Sequence, residues 1–107
     1  MMKISILSPN APGARFDMDY YLQKHMPASI ERLSAGYGFR GVSVERGIGG
    51  EQPGSAPLYI AMCHYLFESI EDFLAAFQEH AAFLQGDIPN YTDVSALIQF
   101  SAVEITR

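Results

Sequence analysis

Leu58-Tyr59-Ile60-Ala61-Met62-Cys63-His64-Tyr65-Leu66-Phe67 is largely apolar on both sides of any strand it forms. Side chains alternate across a strand, so Leu58, Ile60, Met62, His64 and Leu66 share one face and Tyr59, Ala61, Cys63, Tyr65 and Phe67 the other. Both faces therefore call for burial. Upstream, Gly41-Val42-Ser43-Val44-Glu45-Arg46 alternates in the same period, and the connection between the two runs holds Gly47, Gly49, Gly50, Pro53, Gly54 and Pro57. The pair reads as a hairpin with a flexible tip. Neither the glycine spacing nor a following helix matches a phosphate-binding loop or a dinucleotide fingerprint.

Further out, Lys3-Ile4-Ser5-Ile6-Leu7 alternates as a first strand and ends in the turn-rich residues 8–13. A helix is expected from about Asp17, bent or interrupted at Pro27 by the missing N–H and the ring clash, and resuming to about Ala35 before Gly36-Tyr37-Gly38. Ser69-Ile70-Glu71-Asp72 resembles a capping box, and Ile70, Phe73, Leu74, Phe77, Ala81 and Leu84 follow at helical spacing, which predicts a second helix. A loop over residues 87–93 then precedes a last strand expected near residues 97–105, with Ile98, Phe100 and Ala102 on one side and Leu97, Val103 and Ile105 on the other. The order βαββαβ is the split βαβ arrangement of ferredoxin-like α+β domains with an antiparallel sheet. Two helices cover only one sheet face. An open apolar face of several hundred Å² is unusual on a soluble monomer, so it is expected to pack on the same face of a second copy. Such a homodimer encloses a barrel-like interior, an ordinary setting for a small apolar ligand.

The chain has 107 residues, which fits one domain over residues 1–107. Seven Lys+Arg against twelve Asp+Glu leave a formal net charge of -5, with no basic run to neutralise phosphates, so nucleic acid is not expected as a partner. The longest apolar stretches fall short of the roughly 20 residues of a membrane helix, and no charged-then-apolar leader is evident, so a cytoplasmic protein without membrane contact is expected. The single cysteine, Cys63, excludes an internal disulfide and reads as a packed thiol in a strand. His25, His64 and His80 lie far apart and none stands in a ligand-like spacing, so no metal is expected.

The candidate site is Phe16-Asp17-Met18-Asp19-Tyr20-Tyr21-Leu22-Gln23-Lys24-His25-Met26-Pro27. Asp17 suits the helix cap and Asp19 the first turn, where the dipole favours negative charge. A regular wheel puts Met18, Leu22, Met26, Ile30 and Leu33 on the buried stripe, with Tyr21 and His25, four residues apart, together on its flank. A flank histidine reaches a cavity rim. It equally suits a half-buried histidine that only hydrogen-bonds the backbone.

With these segments in view, the chain resembles the EthD family, named for a protein of ethyl tert-butyl ether degradation, within the dimeric α+β barrel superfamily. The resemblance is carried by residues 16–21 with Lys24-His25-Met26-Pro27, by Arg46-Gly47, by Phe67-Glu68-Ser69 and by Asp87-Ile88-Pro89-Asn90-Tyr91-Thr92. It implies a ferredoxin-like protomer, a homodimer and an apolar pocket between sheet and helices. Relatives in the superfamily act as cofactor-independent monooxygenases, isomerases, cyclases or decarboxylases, so the resemblance suggests an oxidoreductase without fixing the reaction. On this reading His25 is the general acid or base, working without a cofactor on a small apolar, aromatic or enolisable molecule. Tyr21 orients its ring, and Asp87, Asn90 or Tyr91 hydrogen-bonds an oxygen that gains charge. Two alternatives stay open: a non-catalytic ligand-binding or accessory protein using the same pocket, and a purely structural role for the motifs.

Overall fold

The computed structural model describes residues 1–107. Four antiparallel strands, β1 (Met2–Pro9), β2 (Phe39–Arg46), β3 (Tyr59–Phe67) and β4 (Leu97–Ala102), form one sheet in the order β2-β3-β1-β4. Helical segments α1 (Met18–Tyr20), a π-helical turn (Tyr21–His25) and α2 (Met26–Ser34) run continuously after β1, and α3 (Ile70–Gly86) follows β3. This is the ferredoxin-like arrangement expected from the order of apolar periods.

The register sorts the side chains by face. Ile4 pairs with Tyr65 and Phe100, and Ile6 with Cys63 and Ile98, so these residues lie on one face together with Ala61 and Phe67. The helices cover that face: Ile4, Ala61, Cys63, Tyr65 and Phe67 are buried with Met26 and Leu33 of α2 and Phe73, Ala76 and Leu84 of α3. Phe67 and Phe73 meet edge to face at 5.6 Å, a geometry that the ring quadrupoles favour. Ser69 caps α3 by accepting the Asp72 N–H at 3.1 Å, satisfying one of the orphan donors of the first turn. Between α2 and β2, Gly38 has φ +84° and an added Cβ would collide with the Asp72 carboxylate, so the turn needs glycine on both counts.

The interruption expected at Pro27 takes the form of a widened turn just before it. The Met26 N–H reaches back to the Tyr21 carbonyl, five residues away, and Pro27, which has no N–H to donate, follows at the start of α2. Five residues in that turn advance the chain by less angle per residue than an α-helix does. The regular wheel therefore fails here: Tyr21, His25 and Ser29 are turned into the core at 3%, 6% and 3% exposure, whereas Leu22, expected on the buried stripe, is 42% exposed.

Three further expectations are corrected. β3 begins at Tyr59, and Leu58 is exposed. β4 ends at Ala102 instead of near residue 105, with one further ladder-like bond from the Val103 N–H to the Met1 carbonyl. The sheet face away from the helices is mixed, not mainly apolar: Leu7, Ile60, Met62, Leu66 and Leu97 share it with Lys3, Ser5, Ser43, Glu45, His64, Gln99 and Ser101. Ser5 Oγ lies 2.7 Å from His64 Nδ1, and Glu45 Oε1 lies 3.5 Å from His64 Nε2. No helix is long and apolar enough to cross a membrane.

Candidate functional site

The segment before α1 and the loop after α3 are tied together by the backbone. The Asp17 N–H donates to the Tyr91 carbonyl at 2.7 Å, Phe16 bridges to Thr92, and Thr92 Oγ1 donates to the Arg15 carbonyl at 2.7 Å. Asp17 in turn caps α1 by accepting the Tyr20 N–H at 3.0 Å. The last turn of α3 continues into a 3-10 turn (Ile88–Asn90), whose Asn90 N–H donates to the Asp87 carbonyl. These ties bring Asp87 against the π-helical turn, 62 residues away in sequence from His25.

At that junction His25 Nδ1 lies 2.8 Å from Asp87 Oδ2. The other carboxylate oxygen, Oδ1, accepts the Tyr20 hydroxyl at 2.7 Å and Asn90 Nδ2 at 2.9 Å. A carboxylate only accepts, so the contact selects the tautomer with the proton on Nδ1 and leaves the lone pair on Nε2. Ser29 Oγ lies 3.5 Å from Nε2, and its hydroxyl already donates to the His25 carbonyl at 2.8 Å. Burial alone would raise the Asp87 carboxyl, but the hydrogen bonds from Asn90, His25 and Tyr20 outweigh it and hold the group below the usual carboxylate range. The Tyr20 phenol is correspondingly raised, mainly by its bond to Asp87.

The imidazole forms part of the wall of a cavity of about 470 Å³ between the sheet and the helices. Its lining is mainly apolar, with Ile4, Ile6, Met26, Leu33, Phe77 and Leu84 among the contributors, and it is open on the β4 side, where Ile98 and Phe100 stay 56% and 45% exposed. Aromatic rings box the imidazole. Tyr91 lies 4.6 Å away, Tyr21 stacks at 6.2 Å and Phe83 at 6.5 Å, and the Arg32 guanidinium covers Phe83 at 3.8 Å. Burial pushes the Tyr91 phenol and the Cys63 thiol up to about 12, the first aided by Asp87 and the second by Glu45, so both groups are neutral at ordinary pH. Cys63 is thus a packed thiol without thiolate character.

Of the five residues singled out from the sequence, Tyr21, His25 and Tyr91 line the cavity and Asp87 and Asn90 do not. Asp87 instead contacts the imidazole at Nδ1, with Asn90 on its other oxygen. Ser29 is not singled out by the sequence, and Tyr20, part of the motif that carries the resemblance, gains its contact with Asp87 only in the structure. Ser29, four residues after His25, was within reach of a spacing argument, whereas the Tyr20 contact depends on a pairing over 67 residues that no local pattern carries.

One polar atom in this region has no partner. The Tyr65 hydroxyl is buried without a hydrogen bond, a situation that costs about 1–3 kcal/mol. Tyr65→Phe, which keeps the ring, is expected to stabilise the protein by about 1 kcal/mol in urea unfolding; a loss of stability would mean that the hydroxyl has a partner after all.

Comparison with known proteins bears on the same elements. The family model described as EthD domain matches residues 13–95, a span that contains the π-helical turn, α3 and the Asp87 loop. An EthD-like protein of known structure from Ralstonia eutropha is 40% identical, with a TM-score of 0.90 over 99% of this chain and 94% of that one. An ethyl tert-butyl ether degradation (EthD) family protein from Bacillus halodurans is 16% identical, with a TM-score of 0.64 over 96% of this chain and 98% of that one. A protein described as a candidate monooxygenase from Shewanella loihica is 15% identical, with a TM-score of 0.59 over 99% of each chain. At such identities the last two speak for the fold alone. No curated protein matches the chain.

Proposed function

The chain belongs to the EthD family, and from that premise we propose that it is a cofactor-independent enzyme of oxidoreductase type acting on a small, apolar, aromatic or enolisable molecule. The observation that carries the proposal is an Asp87-held imidazole on the wall of an apolar cavity, 2.8 Å from its carboxylate. A histidine oriented in this way takes a proton at Nε2 while the carboxylate stabilises the imidazolium that forms. The proton comes from a phenolic or enolic hydroxyl, or from a carbon beside a carbonyl, and the electron pair stays on the ligand. The resulting anion is electron-rich enough to react with dioxygen, to rearrange or to lose a carboxylate.

A second reading, a ligand-binding or accessory protein without turnover, is favoured by one observation. Asp87 and Asn90, expected to steady a developing oxyanion, are committed to each other, to Tyr20 and to His25. The experiment that separates the readings is a thermal-shift screen of phenols, hydroquinones and 1,3-dicarbonyl compounds, followed by oxygen uptake and solvent-deuterium incorporation with each compound that binds. Binding with turnover supports the enzyme, and binding without any turnover supports the second reading.

The same reading includes a homodimer through the sheet face away from the helices. Leu7, Met62, Leu66 and Leu97 supply its apolar part, and the Ser5–His64–Glu45 cluster leaves its polar groups largely satisfied within one chain. Sedimentation equilibrium at micromolar concentration is expected to give the mass of two chains; a single-chain mass would end this part of the proposal.

A further inference from the structure

Asp87 receives three donors from two separate parts of the chain, and their division between its two oxygens is uneven. Oδ2 serves His25 Nδ1 alone at 2.8 Å, whereas Oδ1 takes both the Tyr20 hydroxyl at 2.7 Å and Asn90 Nδ2 at 2.9 Å. Asn90 Nδ2 also lies 3.5 Å from the Tyr20 oxygen, which closes a three-membered ring of polar groups behind the imidazole. None of the three residues lines the cavity.

A carboxylate with only one partner turns about its side-chain torsions, the last of them broad, and leaves that partner for part of the time; an imidazole without the acceptor is free to carry its proton on Nε2 instead. Two donors on Oδ1, one from α1 and one from the turn after α3, remove that freedom. The second oxygen is then fixed in line with Nδ1. A histidine whose Nδ1–H is held in this way keeps a single tautomer, and second partners of this kind set both ring orientation and basicity where imidazoles bind metals or activate nucleophiles.

We propose that Tyr20 and Asn90 are positioning residues that clamp Asp87 Oδ1 and, through Oδ2, hold His25 in the tautomer whose Nε2 is free to accept a ligand proton. The proposal deepens the enzymatic reading but is tested without any ligand. Tyr20 keeps its packing role independently of its hydroxyl: its ring lies against the core, with Lys24 Nζ 5.8 Å from its centre. Asn90 is exposed, and its backbone N–H to Asp87 stays in place when the side chain is removed. Tyr20→Phe and Asn90→Ala are therefore expected to fold.

The measurement is the nitrogen-15 spectrum of the imidazoles in the full-length protein, which distinguishes Nδ1–H from Nε2–H directly, together with the carboxyl titration of Asp87. In the parent protein His25 is expected as a single Nδ1–H tautomer. In the Tyr20→Phe, Asn90→Ala double variant that signal gives way to a tautomer mixture, and the Asp87 carboxyl moves up, since two hydrogen bonds that favour its charged form are gone. Each single variant moves the carboxyl by a smaller amount in the same direction. A double variant that keeps one Nδ1–H tautomer overturns the clamp, and so does an Asp87 carboxyl unmoved in both single variants. Because neither readout needs turnover, failure to find a substrate would leave this result standing, and failure of the clamp would leave a catalytic His25 possible through Asp87 alone.

Discussion

A His25→Asn variant is expected to bind the ligand nearly as well as the parent protein and to convert it about 10²–10⁴-fold more slowly, the range that a positioned acid-base group contributes. Asparagine is chosen over alanine for a physical reason. His25 is 6% exposed and its Nδ1 faces Asp87 at 2.8 Å, so alanine would leave both a void and an unpaired carboxylate, and the loss of stability would cloud the kinetics. The asparagine side chain keeps a donor toward Asp87 and removes the atom that takes the proton. A drop in kcat with little change in affinity identifies a group used in the transition state. Parallel loss of binding and turnover would instead assign His25 to ligand recognition.

Asp87→Asn is expected to lower turnover by a similar factor, about 10²–10⁴, through the tautomer instead of through the base itself. An amide placed against Nδ1 presents either a donor or an acceptor, and with its N–H₂ turned to His25 it drives the ring proton to Nε2, where the lone pair is needed. The same variant has a signature in stability. Because the folded-state carboxyl lies below its ordinary range, its contribution is fully present above the ordinary carboxylate pKa and is lost as pH falls through the folded value. At neutral pH the variant should therefore be less stable than the parent, by about 1–3 kcal/mol for a hydrogen-bonded charge. Urea unfolding should show the gap narrowing on acidification below about pH 4. A gap that stays constant with pH would mean that Asp87 contributes by packing alone.

Much of the fold was legible because each element carries its own period. Ala61, Cys63, Tyr65 and Phe67 alternate into the core as their spacing requires, Ser69 caps α3, and Asp17 caps α1. What escaped was the form that the interruption at Pro27 takes and the contacts that depend on distant pairing. The π-helical turn at Tyr21–His25 is a change of pitch whose form residue types do not announce, and the wheel drawn without it put Leu22 on the buried stripe and Tyr21 and His25 only on its flank. The face away from the helices looked apolar because β3 and the last strand were read without β1 and β2 beside them, and because Val103 and Ile105 lie beyond the end of β4. The β3 neighbours Ser5, Ser43 and Glu45 enter only through the strand register.

The candidate site divided in the same way. His25, Tyr21 and Tyr91 were found from position and resemblance, and they share the cavity wall. The Asp87 loop was found too, yet its carboxylate turns away from the cavity. Its direction follows from the tie between Asp17 and Tyr91 and from the 3-10 turn that places Asp87 and Asn90 side by side. Long-range backbone bonds of this kind decide which residue lines the cavity and which one does not.

The most direct test of the account is a crystal structure with a phenolic or enolic ligand from the screen bound at saturation. The account predicts an ionisable oxygen or acidic carbon of that ligand within about 2.6–3.5 Å of His25 Nε2, with Asp87 still on Nδ1. A ligand seated outside the cavity, or one inside it with Nε2 turned away from every ionisable atom, would contradict it.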